Sequence, residues 1–511
     1  MSRLKKFTYS ILSGYAVLGA NIFYTLASGA LALHYLSMKE IGLWALVSQM
    51  ANFNVVFMDL GMSGSLSRIL IDHKDDKEST NYGTVIQTGA LVLLVQACLI
   101  AVVGAIISIW LPEWMKVEEK FQHIFQQLMI FQCVALGATF AGRIFSFILT
   151  AHQRYDIYNY ANIGGFVVNL FTLWLGFECH WGLYSLLTSA FAGSMFSIVL
   201  SVWAVRRLGF LPAKNNWGKP NRATFHELFM FGTDVFLLSI GQQLISFSAI
   251  PVISRTMGLD AVAVWSYTTK VFTLAQQLVY RIYDFSGGAL AEMLVRGETE
   301  RLKKRFGDVT ILTGLAAAGV GTMLALCNES FVAIWTHGRI AWHPLNNALM
   351  AVSFFIYASV RLSIGLVAMT KKIGFMKFIY FFEGAAFVIL GLLLAPHWGF
   401  PGIIVSGILT DLFFSGAFGM RRTLRYFDMI WREMFEGWLL RSLVFFGISG
   451  MVALGLWFIT RHWSAPLRLA ANATLFGLII LIPLWRTGLP EYLRSEITSR
   501  LKGKIYGRKN V

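Results

Sequence analysis

Four polar residues near the middle of the chain are spaced for chemistry. Lys270, Gln277, Arg281 and Asp284 lie 7, 4 and 3 positions apart in an otherwise apolar stretch. At about 100° per residue they fall within some 60° of one another on a helix. The stripe would extend for about 20 Å at a rise of about 1.5 Å per residue. Cations on such a face donate hydrogen bonds to phosphate oxygens, arginine in a bidentate manner. A milder stripe occurs earlier, at Ser48, Asn52, Asp59 and Ser63. Further ionisable residues interrupt other apolar stretches: Arg143, Arg361 and Arg441, and the acids Asp234, Glu383 and Asp411. At the centre of a membrane each charge costs roughly 2.5–3.5 kcal/mol on insertion scales. Such groups must therefore face a cavity, pair with one another, or reach out from helix ends.

These residues divide by chemistry. Arg143, Arg361, Lys270 and Arg281 are candidates for phosphate, and Gln277 and Asn52 for sugar hydroxyls. Asp59, Asp234, Glu383 and Asp284 are candidates for binding a coupling proton or sodium ion. Structural readings stand beside these. Arg281 and Asp284 have the i,i+3 spacing of an ion pair, and each buried acid could partner a nearby base. Arg441 lies near a helix end, where snorkelling to the interface accounts for it.

The elements that hold these residues are set by composition. Of 511 residues, 56% are hydrophobic and 14% charged, against about 25% charged in a soluble domain. Mean hydropathy is +0.61. Spans of roughly 20 apolar residues mark membrane helices, and fourteen can be read, the second over 40–66, the seventh over 227–253 and the eighth over 261–290. The stretch 9–36 follows a basic start, but it is too long for a signal-peptide core and lacks a cleavage site. Most of the 43 Lys and Arg fall in loops on one side, including Arg206, Arg207, Lys303, Lys304, Arg421 and Arg422. That asymmetry predicts an even number of crossings with both termini cytoplasmic. It also accounts for the net charge of +16 by contact with anionic lipid headgroups rather than nucleic acid.

The chain repeats itself. HWGLYSLLTSA (180–190) matches HWGFPGIIVSG (397–407) at an offset of 217. Near the same offset Arg143 meets Arg361, and upstream, at up to 225, Trp44 meets Trp265, Asn52 meets Gln277 and Asp59 meets Asp284. Six crossings per copy make the copies parallel repeats, an arrangement in which transporters place substrate between the halves. The expected organisation is therefore a six-helix bundle over 1–210, a second over 211–430, two additional membrane helices over 431–487 and a basic tail over 488–511. Leu493, Ile497 and Leu501 could form a surface helix in that tail, or it could be merely solvated.

LALHYLSMKEIGLWALVSQ (31–49) and FMDLGMSGSLSR (57–68) resemble the start of Wzx-type bacterial polysaccharide flippases. That family belongs to the superfamily of multidrug, oligosaccharidyl-lipid and polysaccharide exporters. Ser37 stands where the family's turn has glycine. The resemblance implies an all-α transporter working by alternating access in the bacterial inner membrane. Its implied substrate is an undecaprenyl-pyrophosphate-linked oligosaccharide, moved outward for O-antigen and lipopolysaccharide assembly. The implied partners are that lipid-linked oligosaccharide, membrane lipids and other polysaccharide assembly proteins.

Other functions are weighed against this one. A cation-coupled multidrug exporter shares the architecture, but it favours an acidic or aromatic cavity, whereas here the cations in spans match the acids in number. A membrane-bound polymerase or ligase needs a sizeable outer loop and a nucleophile–base set, and neither is visible. Cys98, Cys133, Cys179 and Cys327 form no CxxC and no cluster with histidine, so neither disulfide, metal nor cofactor is expected.

Overall fold

The structure, a computed structural model, describes residues 3–76, 79–370, 374–495 and 498–499. Ile497 and Leu501, on which a tail helix would depend, lie outside the described residues. Every regular element among those described is helical. In hydrocarbon no water is present to bond main-chain groups, and a helix satisfies them internally.

Two compact units divide the chain, Met1–Ser266 and Tyr267–Val511. The first contains α1 (Arg3–Tyr35), α2 (Met38–Asp59), α3 (Met62–His73), α4 (Thr80–Trp114), α5 (Glu119–Ala141), α6 (Arg143–Ala151), α7 (Tyr155–Glu178), α8 (Tyr184–Arg207), α9 (Arg222–Phe247), α10 (Ala249–Met257) and most of α11 (Leu259–Thr268). The second contains α12 (Lys270–Val295), α13 (Thr299–Trp335), α14 (Pro344–Met369), α15 (Met376–Trp398), α16 (Phe400–Asp411), α17 (Ala417–Phe427), α18 (Trp431–Met434), α19 (Leu440–Thr460) and α20 (Ala465–Pro483). Single π-helical turns follow α16, α18 and α20, at Leu412–Gly416, Phe435–Leu439 and Leu484–Gly488.

The protein is an all-α polytopic membrane protein. Twelve spans among the described residues are long and apolar enough to cross a membrane. The seventh and eighth of the fourteen predicted from sequence also form helices, in α9 and α12. α12 falls below that level of apolarity because it carries Lys270, Arg281, Asp284 and Glu292. Apolar residues elsewhere are turned outward, as Leu94, Val102 and Ile109 are on α4.

In the first unit, Ser37 caps α2. Its hydroxyl accepts from the Glu40 amide at 3.3 Å and the Glu40 carboxylate accepts from the Ser37 amide at 2.8 Å, a reciprocal box that fixes the helix start. Ser37 has φ −76°, so the turn does not need the glycine usual there. The helix stops at Leu60 and Gly61, with φ of 49° and 71°, and α3 starts anew. A Cβ on Gly61 would also strike the Gly232 carbonyl of α9. Gly165 and Gly193 each approach the other's carbonyl, which lets α7 and α8 pack backbone to backbone.

In the second unit, α13 is the central post. Its Ala317 and Ala318 pack within a cluster containing Phe272, Phe354, Phe445 and Phe476, drawn from α12, α14, α19 and α20. Near the end of α13, Glu329 accepts from the buried Arg468 of α20 at 2.8 Å. The repeated HWG tripeptides form the turns after α7 and within the α15–α16 junction, where Gly182 and Gly399 have φ of 55° and 64°. All four cysteines are free.

Candidate functional site

The residues singled out from sequence gather into two sets in the first and second units and one further cluster in the second.

In the first unit, Asp59 is the last residue of α2, where the helix breaks. Its carboxylate accepts from the Ser63 hydroxyl at 2.5 Å and from the Ser63 amide at 3.2 Å, and its carbonyl accepts from Gln96 of α4 at 2.7 Å. Arg143 opens α6 after the Gly142 interruption and interacts electrostatically with Asp59. Its guanidinium lies 4.7 Å from the Phe140 ring centroid, a cation–π contact that fixes its plane. Asn52 is exposed one stretch earlier on α2 and donates to the Ser48 carbonyl at 2.8 Å.

In the second unit, Arg361 of α14 donates to Asp284 of α12 at 3.3 Å. The guanidinium stacks 4.3 Å from the Tyr280 centroid. Both members of the pair are nearly half exposed, at 44% and 48%. The sequence offset that related Asp59 to Asp284 and Arg143 to Arg361 therefore relates an ion pair in the second unit to a looser electrostatic contact in the first. Arg281 does not take its i+3 neighbour as partner; it lies 5.9 Å from the Phe285 ring. Gln277 is exposed, and Lys270, half-buried at the start of α12, has no acidic partner among the described residues. Four cations and two acids thus belong to these two sets.

The third cluster is dry. Glu383 on α15 and Asp411 at the end of α16 are 2% and 7% exposed. Ser415, in the π-turn, serves both: its amide donates to Glu383 at 3.0 Å and its hydroxyl to Asp411 at 3.1 Å. The widened turn frees that amide from the helical ladder, as π-bulges do at many functional sites. Tyr357 and Tyr280 are the other titratable groups that sense Asp411. Asp411 Oδ2 has no hydrogen-bond partner, and no base pairs with either acid among the described residues. The side chain of Asp234 lies outside the described residues. Sequence reading noted Asp411 only as a charge within a span. The signal that could have raised it is the serine four residues on, aimed at an acid of the preceding span.

Against known proteins, residues 5–284, over half of the chain, match the family described as "Polysaccharide biosynthesis protein". The chain belongs to the polysaccharide biosynthesis protein family. No curated protein matches it significantly. Solved structures do. The lipid II flippase MurJ in an inward closed conformation aligns with a TM-score of 0.65 at 13% identity, over 93% of this chain and 100% of that one. A multidrug resistance MATE family transporter of the MOP superfamily, inward-facing, gives 0.63 at 11% identity over 79% and 95%. A MOP superfamily transporter from Pyrococcus furiosus gives 0.55 at 14% over 83% and 97%. At these identities the likeness shows the fold alone, which the chain shares with these transporters.

Proposed function

We propose that this chain is a flippase that moves an undecaprenyl-pyrophosphate-linked oligosaccharide from the cytoplasmic to the outer leaflet of a bacterial inner membrane by alternating access. On this reading both termini are cytoplasmic and the product feeds assembly of a cell-surface polysaccharide such as an O-antigen of lipopolysaccharide. The observation that carries it is the duplicated arginine: one per unit, each stacked on a ring and set beside an aspartate, with Lys270 and Arg281 as surplus cations. A stacked, oriented guanidinium suits the bidentate recognition of phosphate, and the charge excess suits an anionic headgroup. Family membership and the likeness to a lipid II flippase support the same reading.

Arg143, Arg361, Lys270 and Arg281 are the phosphate ligands in this proposal, and Gln277 and Asn52 bond sugar hydroxyls. Coupling falls to acids. Glu383 and Asp411 form a buried pair without a basic partner, and two such charges need compensation. A proton or sodium ion held between them would supply it, with Asp59, Asp284 and Asp234 as the other candidates.

The test is reconstitution in liposomes with a fluorescent undecaprenyl-pyrophosphate oligosaccharide, following its arrival on the opposite leaflet. Movement abolished by Arg143→Ala with Arg361→Ala, while insertion stays intact, supports both function and site. No movement, with efflux of a cationic dye instead, overturns the proposal in favour of a multidrug exporter. Movement indifferent to the double variant keeps the function and removes the site.

A further inference from the structure

A cavity of about 480 Å³ in the second unit is lined by none of the residues of the two acid–arginine sets or of the Glu383–Asp411 cluster. Three segments far apart in sequence build it: the start of α13, the π-turn that leads into α19, and the segment after α20, helical over 491–495. Each contributes a cation. Lys304 comes from α13, Arg441 from the first turn of α19 and Arg494 from the C-terminal segment. Gly307 of α13 forms part of the wall, because the Trp438 indole occupies the space a side chain would need there. Trp438 is itself fixed by Phe306 and Phe427, at ring distances of 5.6 and 5.9 Å.

The charges in this cavity are unbalanced. Among acids nearby, Glu436 is occupied by Arg432 at 2.8 Å. Asp308 is shared between Arg305 at 3.2 Å and the Tyr492 hydroxyl. Burial, and then that contact with Asp308, push the Tyr492 pKa up, so it remains a neutral donor, with the Lys304 ammonium 5.8 Å from its ring. Only Glu491 is left to offset Lys304, Arg441 and Arg494, none of which has an ion-pair partner among the described residues. Arg494 Nε is moreover shielded from solvent without a hydrogen-bond acceptor. A buried guanidinium nitrogen lacking an acceptor is costly, and an incoming anion removes that cost.

We infer that this cavity binds the phosphate of an anionic lipid headgroup. Phosphate is the chemistry that two guanidinium groups and an ammonium converging on one space select. The lipid origin follows from what adjoins the cations. Arg441 lies in the first turn of α19, within the membrane-spanning stretch Trp431–Thr460, and Leu440, Leu443 and Val444 next to it in sequence are exposed, apolar surface that an acyl chain can cover. Basic pockets between membrane helices at the headgroup level are the general form of such sites. α19 and the C-terminal segment, which complete the cavity, lie outside the two six-helix stretches read from the sequence. Its occupant is a bound lipid that ties α13, α19 and the C-terminal segment together, not the transported molecule.

Native mass spectrometry of the purified full-length protein tests this, with titrated phosphatidylglycerol, phosphatidylcholine as the zwitterionic control and inorganic phosphate as the soluble probe. Retention of one phosphatidylglycerol is expected, weakened about thirtyfold in Arg441→Gln with Arg494→Gln, on the basis of roughly fivefold per cation near an anionic headgroup. The charge-matched Arg206→Gln with Arg207→Gln should change it less than twofold. Lys304→Gln, at an exposed position, should weaken it about fivefold and guards against misfolding of the double variant. Equal losses in the cavity and control variants, or no preference over phosphatidylcholine, overturn the site. Variant-sensitive binding of inorganic phosphate without binding of phosphatidylglycerol overturns the lipid assignment.

Discussion

The two acid–arginine sets fall at positions matched by the sequence offset, yet they are built differently. In the first unit both helices break at the pair: α2 ends on Asp59, with Leu60 and Gly61 at positive φ, and α6 restarts at Arg143. In the second unit α12 and α14 run unbroken through Asp284 and Arg361. The first acid is tied down by Ser63, whereas the second is held only by its arginine. At the positions that the sequence offset matches, the charges are thus alike and the backbone beneath them differs. One pair sits on a jointed support and the other on rigid rods, so an identical substitution should have unlike consequences in the two units.

The largest effect expected is on transport. If both arginines contact the substrate phosphate, Arg143→Ala with Arg361→Ala should cut the reconstituted rate by at least about 100-fold, since two charged hydrogen-bonding partners at about 1.5–3 kcal/mol each are lost. Comparable losses in the two single variants would show that the jointed and rigid supports serve equally; a loss confined to one would break the equivalence.

The backbone difference can be tested alone. Gly61→Ala should destabilise the protein by roughly 2 kcal/mol or more, through a left-handed backbone penalty of about 1 kcal/mol and a clash with the Gly232 carbonyl. In the uninterrupted α12, Gly287 has open space where a Cβ would go, and Gly287→Ala should stabilise by up to about 1 kcal/mol. Denaturation monitored in detergent compares the two. A stabilising Gly61→Ala would remove the joint from the account.

Coupling is the next test. Glu383→Gln should flatten the pH dependence of transport if the buried acid pair carries the coupling ion, while Asp284→Asn should leave that profile unchanged and cost stability only about 0–1 kcal/mol, as exposed ion pairs do. Asp59→Asn should cost more, about 1–2 kcal/mol, because it weakens the two Ser63 bonds at the helix break.

The smallest effect lies at the start of α2. Lys39 bonds the exposed Glu118 and, with Lys120, holds its pKa below the usual carboxylate value. A lowered folded-state pKa means the contribution is present above about pH 4.3, the unfolded value, and is lost as pH falls through the folded one. Thermal scans of wild type and Glu118→Gln should therefore differ slightly at neutral pH and converge in acid.

How much of this was legible without coordinates depends on the kind of interaction. The offset of the repeat matched Asp59 with Asp284 and Arg143 with Arg361 as equivalent positions, but it did not say which acid lies against which arginine. One detail was misassigned: spacing allowed Arg281 to hold Asp284, but the acid lies against α14 and takes Arg361. The interruptions after Asp59 and before Arg143 were visible only as a glycine in each, at 61 and 142, which sequence alone cannot distinguish from glycines inside helices. The Glu383–Asp411 cluster and the cationic cavity were not legible, since both depend on π-turns, and a one-residue widening leaves no mark in hydropathy.

The tie between Glu329 and Arg468 sets a timetable for biogenesis. The partners are separated by 139 residues, which at about 5–20 residues per second means roughly 7–28 s of synthesis. Through that interval α13 has left the ribosome with a half-buried acid and without Arg468, and α20 is the last membrane-crossing helix among the described residues to emerge. This tie thus waits for α20, and a ribosome that stalls before it leaves a bundle whose central helix still carries an unanswered charge.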